Sequence, residues 1–338
     1  MSDYQGKQIL VTGGTGSYGH ALTSALLKEN PKEVLVYSRG ENAQVEMERE
    51  FGDPRLNFYI GDVRDAGRLT EATRGMDIIF HFAALKHVPV GERHIWEFVK
   101  TNIAGTRNVI EAAKANNVSR AVFMSSDKAA DPMNNYGYTK AIAEKMFIEA
   151  NAHSPKTTFI CIRSGNVTGS HGSVVPLFRD QIARHNRITI TDPAMTRFLE
   201  IPCVLAAYVL KMGAEGKGGE TFIPKMAAVD VATLADVMVK HLGDEDTKIE
   251  YVGARPGERH HEVLIARDEV CRTLEFPGYF VVFPYQFLAN EIPQLAAYKS
   301  VNGNGRQNGL YSSEIADKLT HRELAEKLRD LGLLPERA

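Results

Sequence analysis

Tyr136 and Lys140 stand four residues apart in Tyr136-Gly137-Tyr138-Thr139-Lys140, and Tyr136 follows Ser126 of Ser126-Asp127-Lys128 by ten residues. Residues at i and i+4 share one helix face, so the Lys140 ammonium is expected beside the Tyr136 phenol. A phenol with its ordinary pKa of about 10 is a poor base at neutral pH. A neighbouring cation favours phenolate and lowers that value toward the range useful for acid–base work. Taken alone, the spacing equally describes a helix start with a surface Lys. Asp127 and Lys128 add a carboxyl and an amine, which on many loops are only a solvated pair. Catalytic groups concentrate on loops at the C-terminal ends of parallel strands, and the frame of the chain places them on one.

That frame is visible in the first half. Short apolar runs at Gln8–Thr12, Glu33–Ser38, 56–61, Ile78–His81, 121–125 and 158–164 alternate with helical patterns at 18–29, 41–50, 66–74, 96–116 and 136–152. Strands alternating with helices imply an α/β fold: a Rossmann-like, doubly wound parallel sheet covered on both faces. The second half is less regular. One more strand is expected near 220–224, loop-rich segments at 171–200 and 245–310, and a terminal amphipathic helix over 319–333 capped by Thr320 with Glu323. The expected division is a dinucleotide-binding domain of 1–170 with about 201–225, and a smaller substrate-binding cap of 171–200 with about 226–338.

Gly13, Gly16 and Gly19 follow the first strand and open the first helix, a context that makes a glycine pattern credible as a dinucleotide site. Glycines let the backbone approach a pyrophosphate, and the helix N-terminus offers N–H donors. The second strand ends in Tyr37-Ser38-Arg39-Gly40-Glu41. An acid here suits the ribose 2′-hydroxyl of NAD, whereas a cation suits the 2′-phosphate of NADP. Ser38 and Arg39 therefore favour NADP over NAD, unless Arg39 faces solvent and Glu41 is the ribose ligand. Asp62, after the third strand, is positioned to accept from an adenine amine or to cap the next helix.

Bulk properties narrow the classes. The chain has 338 residues, 43% hydrophobic and 24% charged, with a formal net charge of -2. There is no basic field to hold nucleic acid. The three cysteines, Cys161, Cys203 and Cys271, form neither a disulfide framework nor a zinc motif. His81, His87, His94, His260 and His261 lack metal-ligand spacing, so no metal is expected. No signal-peptide layout precedes the first strand, and no apolar run reaches a membrane span of about 18 residues. A cytoplasmic protein without membrane partners is the expectation.

Together these motifs resemble the extended short-chain dehydrogenase/reductase family. The resemblance covers nearly the whole chain: Thr12-Gly13-Gly14-Thr15-Gly16-Ser17-Tyr18-Gly19, Asp62-Val63, His81-Phe82-Ala83-Ala84, Asn102, and Tyr136 with Lys140. Ala84-Leu85-Lys86-His87-Val88-Pro89, Ser126-Asp127-Lys128-Ala129, Arg163-Ser164-Gly165-Asn166-Val167, Gly172-Ser173-Val174-Val175-Pro176, Met195-Thr196-Arg197-Phe198 and Arg255-Pro256-Gly257-Glu258 look like the UDP-N-acetylglucosamine 4,6-dehydratases, of the inverting type that opens the pseudaminic acid pathway. Ser126 stands where that branch usually has Thr. Leu199-Glu200-Ile201-Pro202 replaces an expected aromatic and Thr.

The resemblance implies roles. Thr15, Ser17, Tyr18, Val63, Ala83, Lys86 and Val167 join the cofactor site, with Tyr136 and Lys140 near the nicotinamide ribose. Tyr136 takes the proton of the sugar 4-hydroxyl, and Ser126 hydrogen-bonds the 4-oxygen. Lys128, desolvated and with a lowered pKa, removes the C5 proton. Asp127, protonated, delivers a proton to the departing 6-hydroxyl. Arg197 and Arg255 hold the diphosphate and Glu258 accepts from the uridine ribose. Asn166, Lys86, Asn102, Ser173 and Val174 complete the substrate set. Family members pair through two helices, here 96–116 and 136–152, so a homo-oligomer, dimer or hexamer, is implied.

Two rivals remain at this stage. A UDP-sugar 4-epimerase also oxidises C4 but needs no C5 base, so Lys128 discriminates. A non-catalytic NADPH-binding regulator on the same fold has no need of Tyr136 and Lys140, both of which are present.

Overall fold

The computed structural model describes residues 2–169, 173–254, 257–285 and 309–336. The first half runs β1 (Gln8–Thr12), α1 (Ser17–Lys28), β2 (Glu33–Ser38), α2 (Glu41–Phe51), β3 (Leu56–Ile60), α3 (Ala66–Ala72), β4 (Ile78–His81), α4 (Val88–Arg93), α5 (Ile95–Phe98), α6 (Gly105–Ala115), β5 (Arg120–Met124), α7 (Asn135–Ala152) and β6 (Thr158–Ile162). The second half adds β7 (Asn166–Val167), α8 (Val174–His185), β8 (Arg187–Ile190), β9 (Thr196–Glu200), α9 (Pro202–Glu215), β10 (Thr221–Pro224), β11 (Ala228–Asp230), α10 (Val231–Leu242), β12 (Lys248–Tyr251), β13 (Val263–Ile265), β14 (Thr273–Phe276), β15 (Tyr279–Val282), β16 (Tyr311–Ser312) and α11 (His321–Asp330).

The main sheet has the order β14-β15-β10-β6-β5-β4-β1-β2-β3. From β10 through β3 every neighbouring pair is parallel. Strands buried on both faces must be apolar along their length, and β1, β4, β5 and β6 read so. Chain order reverses between β1 and β4. In an open α/β sheet, that switch point is where the crevice for a dinucleotide opens. The architecture is the expected Rossmann-like one.

The helix expected over 96–116 is interrupted. A π turn at Val99–Ala104 separates α5 from α6. Thr106 Oγ1 donates to the Asn102 carbonyl at 2.6 Å inside this stretch. Widened turns of this kind mark functional positions more often than regular helix does. The loop-rich reading of 171–200 also needs correction: α8, β8 and β9 lie there. Val175, Phe178 and Ile182 form the buried stripe of α8, and they join Ile188, Leu234, Met238, Leu324 and Leu328 in a second core.

Described residues beyond 226 contribute to both cores. Their hairpin, β14 and β15, pairs antiparallel with β10 and extends the main sheet. The turn is Pro277-Gly278, with Gly278 at φ +84, a conformation that favours glycine. The terminal helix carries the expected capping box: Thr320 accepts from the Glu323 N–H while Glu323 accepts from the Thr320 N–H. Among the described residues, no helix is long and apolar enough to cross a membrane.

Candidate active site

The glycine loop is built for close approach. Gly13 sits at φ +72, and a Cβ there would lie 2.7 Å from the Ala83 backbone nitrogen. A Cβ on Gly19 would lie 2.5 Å from the Gly13 carbonyl oxygen. The loop therefore folds onto the ends of β1 and β4, and Gly16 precedes α1 as its N-cap with no side-chain cap bond. Thr15, Gly16 and Ser17 form its crest. These residues fit a dinucleotide pyrophosphate on a helix N-terminus.

At the adenosine end, one of the two readings of Asp62 is excluded. Asp62 is engaged by Arg64, whose backbone N–H donates to Oδ1 at 2.9 Å and whose guanidinium reaches Oδ2 at 2.6 Å. The cap of α3 is Asp65, which accepts from the Arg68 N–H. Asp62 is thus not the helix cap, and its carboxylate already has a strong partner. The Val63 side chain is buried beneath Gly105. Ser38 is buried and accepts from Gln44, whereas Arg39 is exposed, 3.9 Å from Asp62.

Beyond the strand ends lies a cavity of about 290 Å³. It gathers Tyr18, Lys86, Ser126, Asp127, Lys128, Tyr136, Lys140, Asn166, Val167 and Ser173. Adjoining cavities bring in Arg197, Glu258 and Val174, and Asn166 lines all of them. The side-chain oxygens of Asn166 and Ser173 are buried without a hydrogen-bond partner among the described residues. Buried polar atoms normally find partners, so these two suit a polar ligand. A larger cleft of about 1230 Å³ runs along α7 on the far side and holds none of the expected site residues.

Asn102 is not among the lining residues. It is buried, its Oδ1 accepts from the Leu85 N–H at 2.8 Å, and its amide donates to the Leu85 carbonyl and to Thr139 Oγ1. It braces the loop that presents Lys86 and does not line the cavity. Arg255 lies outside the described residues. Arg197 and Glu258, expected on different parts of the substrate, pair with each other at 3.3 Å.

The electrostatics overturn two expectations. Burial raises the Tyr136 phenol; the Ser126 hydroxyl and the Lys128 charge oppose this without cancelling it. The cation acting on the phenol is Lys128, not Lys140. The Lys140 ammonium instead donates to the Met124 carbonyl at 2.5 Å and lies 3.9 Å from the centre of the Phe123 ring. Lys128 is likewise not lowered. Burial pulls its amine down, but Asp127 and Glu262 outweigh burial and hold it well above the usual lysine range. Its Nζ lies 3.2 Å from Asp127 Oδ1 and 2.9 Å from Glu262 Oε1. Asp127 itself, buried and facing Glu262, is raised.

Glu262 was missed in the sequence. It is buried, and no local motif marks it. Arg163 holds the neighbourhood rigid: fully buried just after β6, it joins Glu144 of α7 to Glu269.

Lys140 yields a prediction. Burial pulls its ammonium down from 10.5 to about 7, with Glu144 opposing. The unfolded chain therefore binds more protons than the folded one between those values, so folding stability rises with pH across that window. Below about 7 the cost of burying the cation is fully present. Lys140→Met in the ligand-free protein is expected to raise stability by roughly 2–5 kcal/mol near neutral pH. The gain should shrink as pH rises through 9 and 10 (about 1.4 kcal/mol per unit). Thermal melts of both proteins over that range check it; a gain independent of pH would contradict it.

A family model described as polysaccharide biosynthesis protein matches residues 9–284. The chain is 41% identical to the UDP-N-acetylglucosamine 4,6-dehydratase (inverting) of Campylobacter jejuni, over 83% of this chain and 84% of that protein. It is 40% identical to a protein of Rickettsia akari named UDP-glucose 4-epimerase, over 81% of this chain and 82% of that one. Among solved structures it resembles Pen from Bacillus thuringiensis, with a TM-score of 0.90 and 38% identity, covering 98% of this chain and 100% of the other.

Proposed function

Because the chain belongs to the polysaccharide biosynthesis protein family, we propose that it is a nucleotide-sugar 4,6-dehydratase acting on UDP-N-acetylglucosamine or a close UDP-hexosamine. One observation carries the reading. A buried carboxyl and an amine, Asp127 and Lys128, share a 3.2 Å contact in the cavity that also holds the Tyr136 phenol. Epimerisation at C4 needs the phenol alone. Loss of water across C5 and C6 needs, besides it, a base and an acid.

A nicotinamide dinucleotide bound on the glycine loop supplies a hydride acceptor for C4 and a donor for C6. The side chains do the rest. Tyr136, as phenolate, takes the 4-hydroxyl proton while Ser126 hydrogen-bonds the 4-oxygen. The resulting ketone acidifies C5–H. One proton passing from Lys128 to Asp127 converts ammonium and carboxylate into amine and carboxylic acid, the two forms elimination needs. The amine then takes the C5 proton, and Asp127 protonates the 6-hydroxyl, which leaves as water. Return of a proton to the opposite face of C5 gives an inverted 4-keto-6-deoxy sugar.

Arg197, together with Arg255, holds the diphosphate, and Glu258 the uridine ribose. Asn166, Ser173, Val174 and Lys86 line the sugar's path. The support for NADP is the cation that Arg39 places at the end of β2, where NAD sites carry an acid; its exposure to solvent weakens that support. Trp96, Tyr138 and Ile142 expose large apolar side chains on the helical segments expected to pair subunits, which supports a homo-oligomer.

The test is incubation with UDP-N-acetylglucosamine in deuterated water, read by mass spectrometry and NMR. Loss of one water with deuterium at C5 is the expected result. An isomer of unchanged mass would reject dehydration in favour of the 4-epimerase activity that the Rickettsia akari protein's name describes.

A further inference from the structure

We propose that Glu262 is a positioning residue for the acid–base pair: its carboxylate clamps the Lys128 amine and sets the pH window in which Asp127 and Lys128 hold one proton between them. The inference rests on the dehydratase reading above.

The geometry is specific. Glu262 precedes β13 and is fixed through its backbone, whose N–H donates to Ser313 Oγ at 2.9 Å and whose carbonyl accepts from the Ser313 N–H at 2.8 Å. Its Oε1 lies 2.9 Å from Lys128 Nζ and 3.7 Å from Arg197 Nε. Its Oε2 and the Oδ2 of Asp127 are both buried without a hydrogen-bond partner among the described residues. Two buried carboxylates thus flank one ammonium, and each keeps an oxygen able to carry a proton. Such a cluster resists holding both negative charges.

The surroundings decide which carboxyl is protonated. The charged or titratable groups facing Glu262 are Asp127 and Lys128 from the turn after β5, Arg197 from β9, Arg259 and, through Arg197, Glu258 from its own segment, and Tyr136 from α7. Among the described residues, the β16 side offers the uncharged Ser313, and His261 turns to Thr196 and Glu314. Glu262 is therefore held by several cations. Asp127 has Lys128 alone and takes its remaining hydrogen bonds from Ser126 Oγ and the Lys128 N–H. Burial by itself would raise Glu262, but Lys128 and Arg197 hold it below the usual carboxylate range, while Asp127 is raised. The extra proton belongs to Asp127.

The proton balance then fixes the pH response. With one proton shared, its passage from Lys128 to Asp127 gives the acid and the free amine. A second proton leaves Asp127 an acid but ties up Lys128 as ammonium, which ends C5 deprotonation. The fixed negative charge of Glu262 favours uptake of that second proton, so removing the charge moves its uptake to lower pH.

Glu262→Gln keeps the shape and removes the charge. Two readouts follow. The acid limb of the kcat–pH profile should move down by about one unit or more. In the protein without substrate, acylation of Lys128 by a small amine-reactive reagent at fixed pH, followed by peptide mass spectrometry, should run about tenfold faster or more. Glu262→Asp, which retains a carboxylate one methylene back, should return both readouts toward wild type and serves if the Gln variant folds poorly. An unchanged Lys128 labelling rate, or a lower kcat with an unmoved acid limb, would overturn the inference. Wild-type protein that releases no water would instead sink the dehydratase reading, while labelling would still decide what Glu262 does to Lys128.

Discussion

A Lys128→Arg variant is expected to bind a UDP-sugar normally yet lose dehydration by about 10²–10⁴-fold in kcat, the range over which a positioned base acts. Arginine keeps the positive charge between Asp127 and Glu262, so the buried carboxylates stay paired. It does not give up its proton near neutral pH, so it cannot serve as the amine. Truncation to alanine is a poorer test, because an unpaired buried carboxylate costs about 3–5 kcal/mol and would confuse folding with catalysis. The signature is a stall after C4 oxidation. Adding UDP-N-acetylglucosamine should raise the near-ultraviolet absorbance of the reduced dinucleotide, with no water released and no deuterium entering C5. Full dehydration by the arginine variant would remove Lys128 from the mechanism.

Tyr136→Phe is expected to fail one step earlier. Its kcat should fall about 10²–10⁴-fold, and the reduced-dinucleotide absorbance should not appear. The phenol is raised by burial in this structure, so the base form grows with pH. Single-turnover C4 oxidation in the wild type should therefore accelerate across the neutral and mildly alkaline range, and residual oxidation in the phenylalanine variant should be flat. Oxidation at wild-type speed without the hydroxyl would overturn the assignment. The pair of variants separates proton removal at the 4-hydroxyl from proton removal at C5.

The legible part of this molecule is the part written in local patterns. Gly13, Gly16 and Gly19 declare the dinucleotide loop because close backbone approach leaves no room for a side chain. The alternation of apolar runs and helical stripes placed the parallel strands and the first helices within two residues. Ser126, Asp127, Lys128 and Tyr136 were visible from their types and spacing, and the cavity does gather them. The charge state of Lys128 was not, because it depends on Glu262, 134 positions away. Nothing near Glu262 distinguishes it from a surface acid. Asn102 was misread because a polar residue in a family motif suggests a ligand contact, whereas its amide is spent on Leu85 and Thr139. The β14–β15 hairpin was lost for a different reason. Four-residue antiparallel strands carry little periodic signal, although Pro277-Gly278 was a turn cue.

The clamp on Lys128 has a bearing on biosynthesis. Residues 8–140 supply the glycine loop, the phenol and the amine, but the carboxylate that seats the amine is synthesised more than a hundred residues later. Chains grow from the N-terminus at about 5–20 residues per second, and early domains fold first. A nascent chain still on the ribosome can therefore close its nucleotide cradle before its proton-transfer apparatus is complete. On the dehydratase reading, proton transfer at C5 gains its full charge environment only once the segment carrying Glu262 has docked.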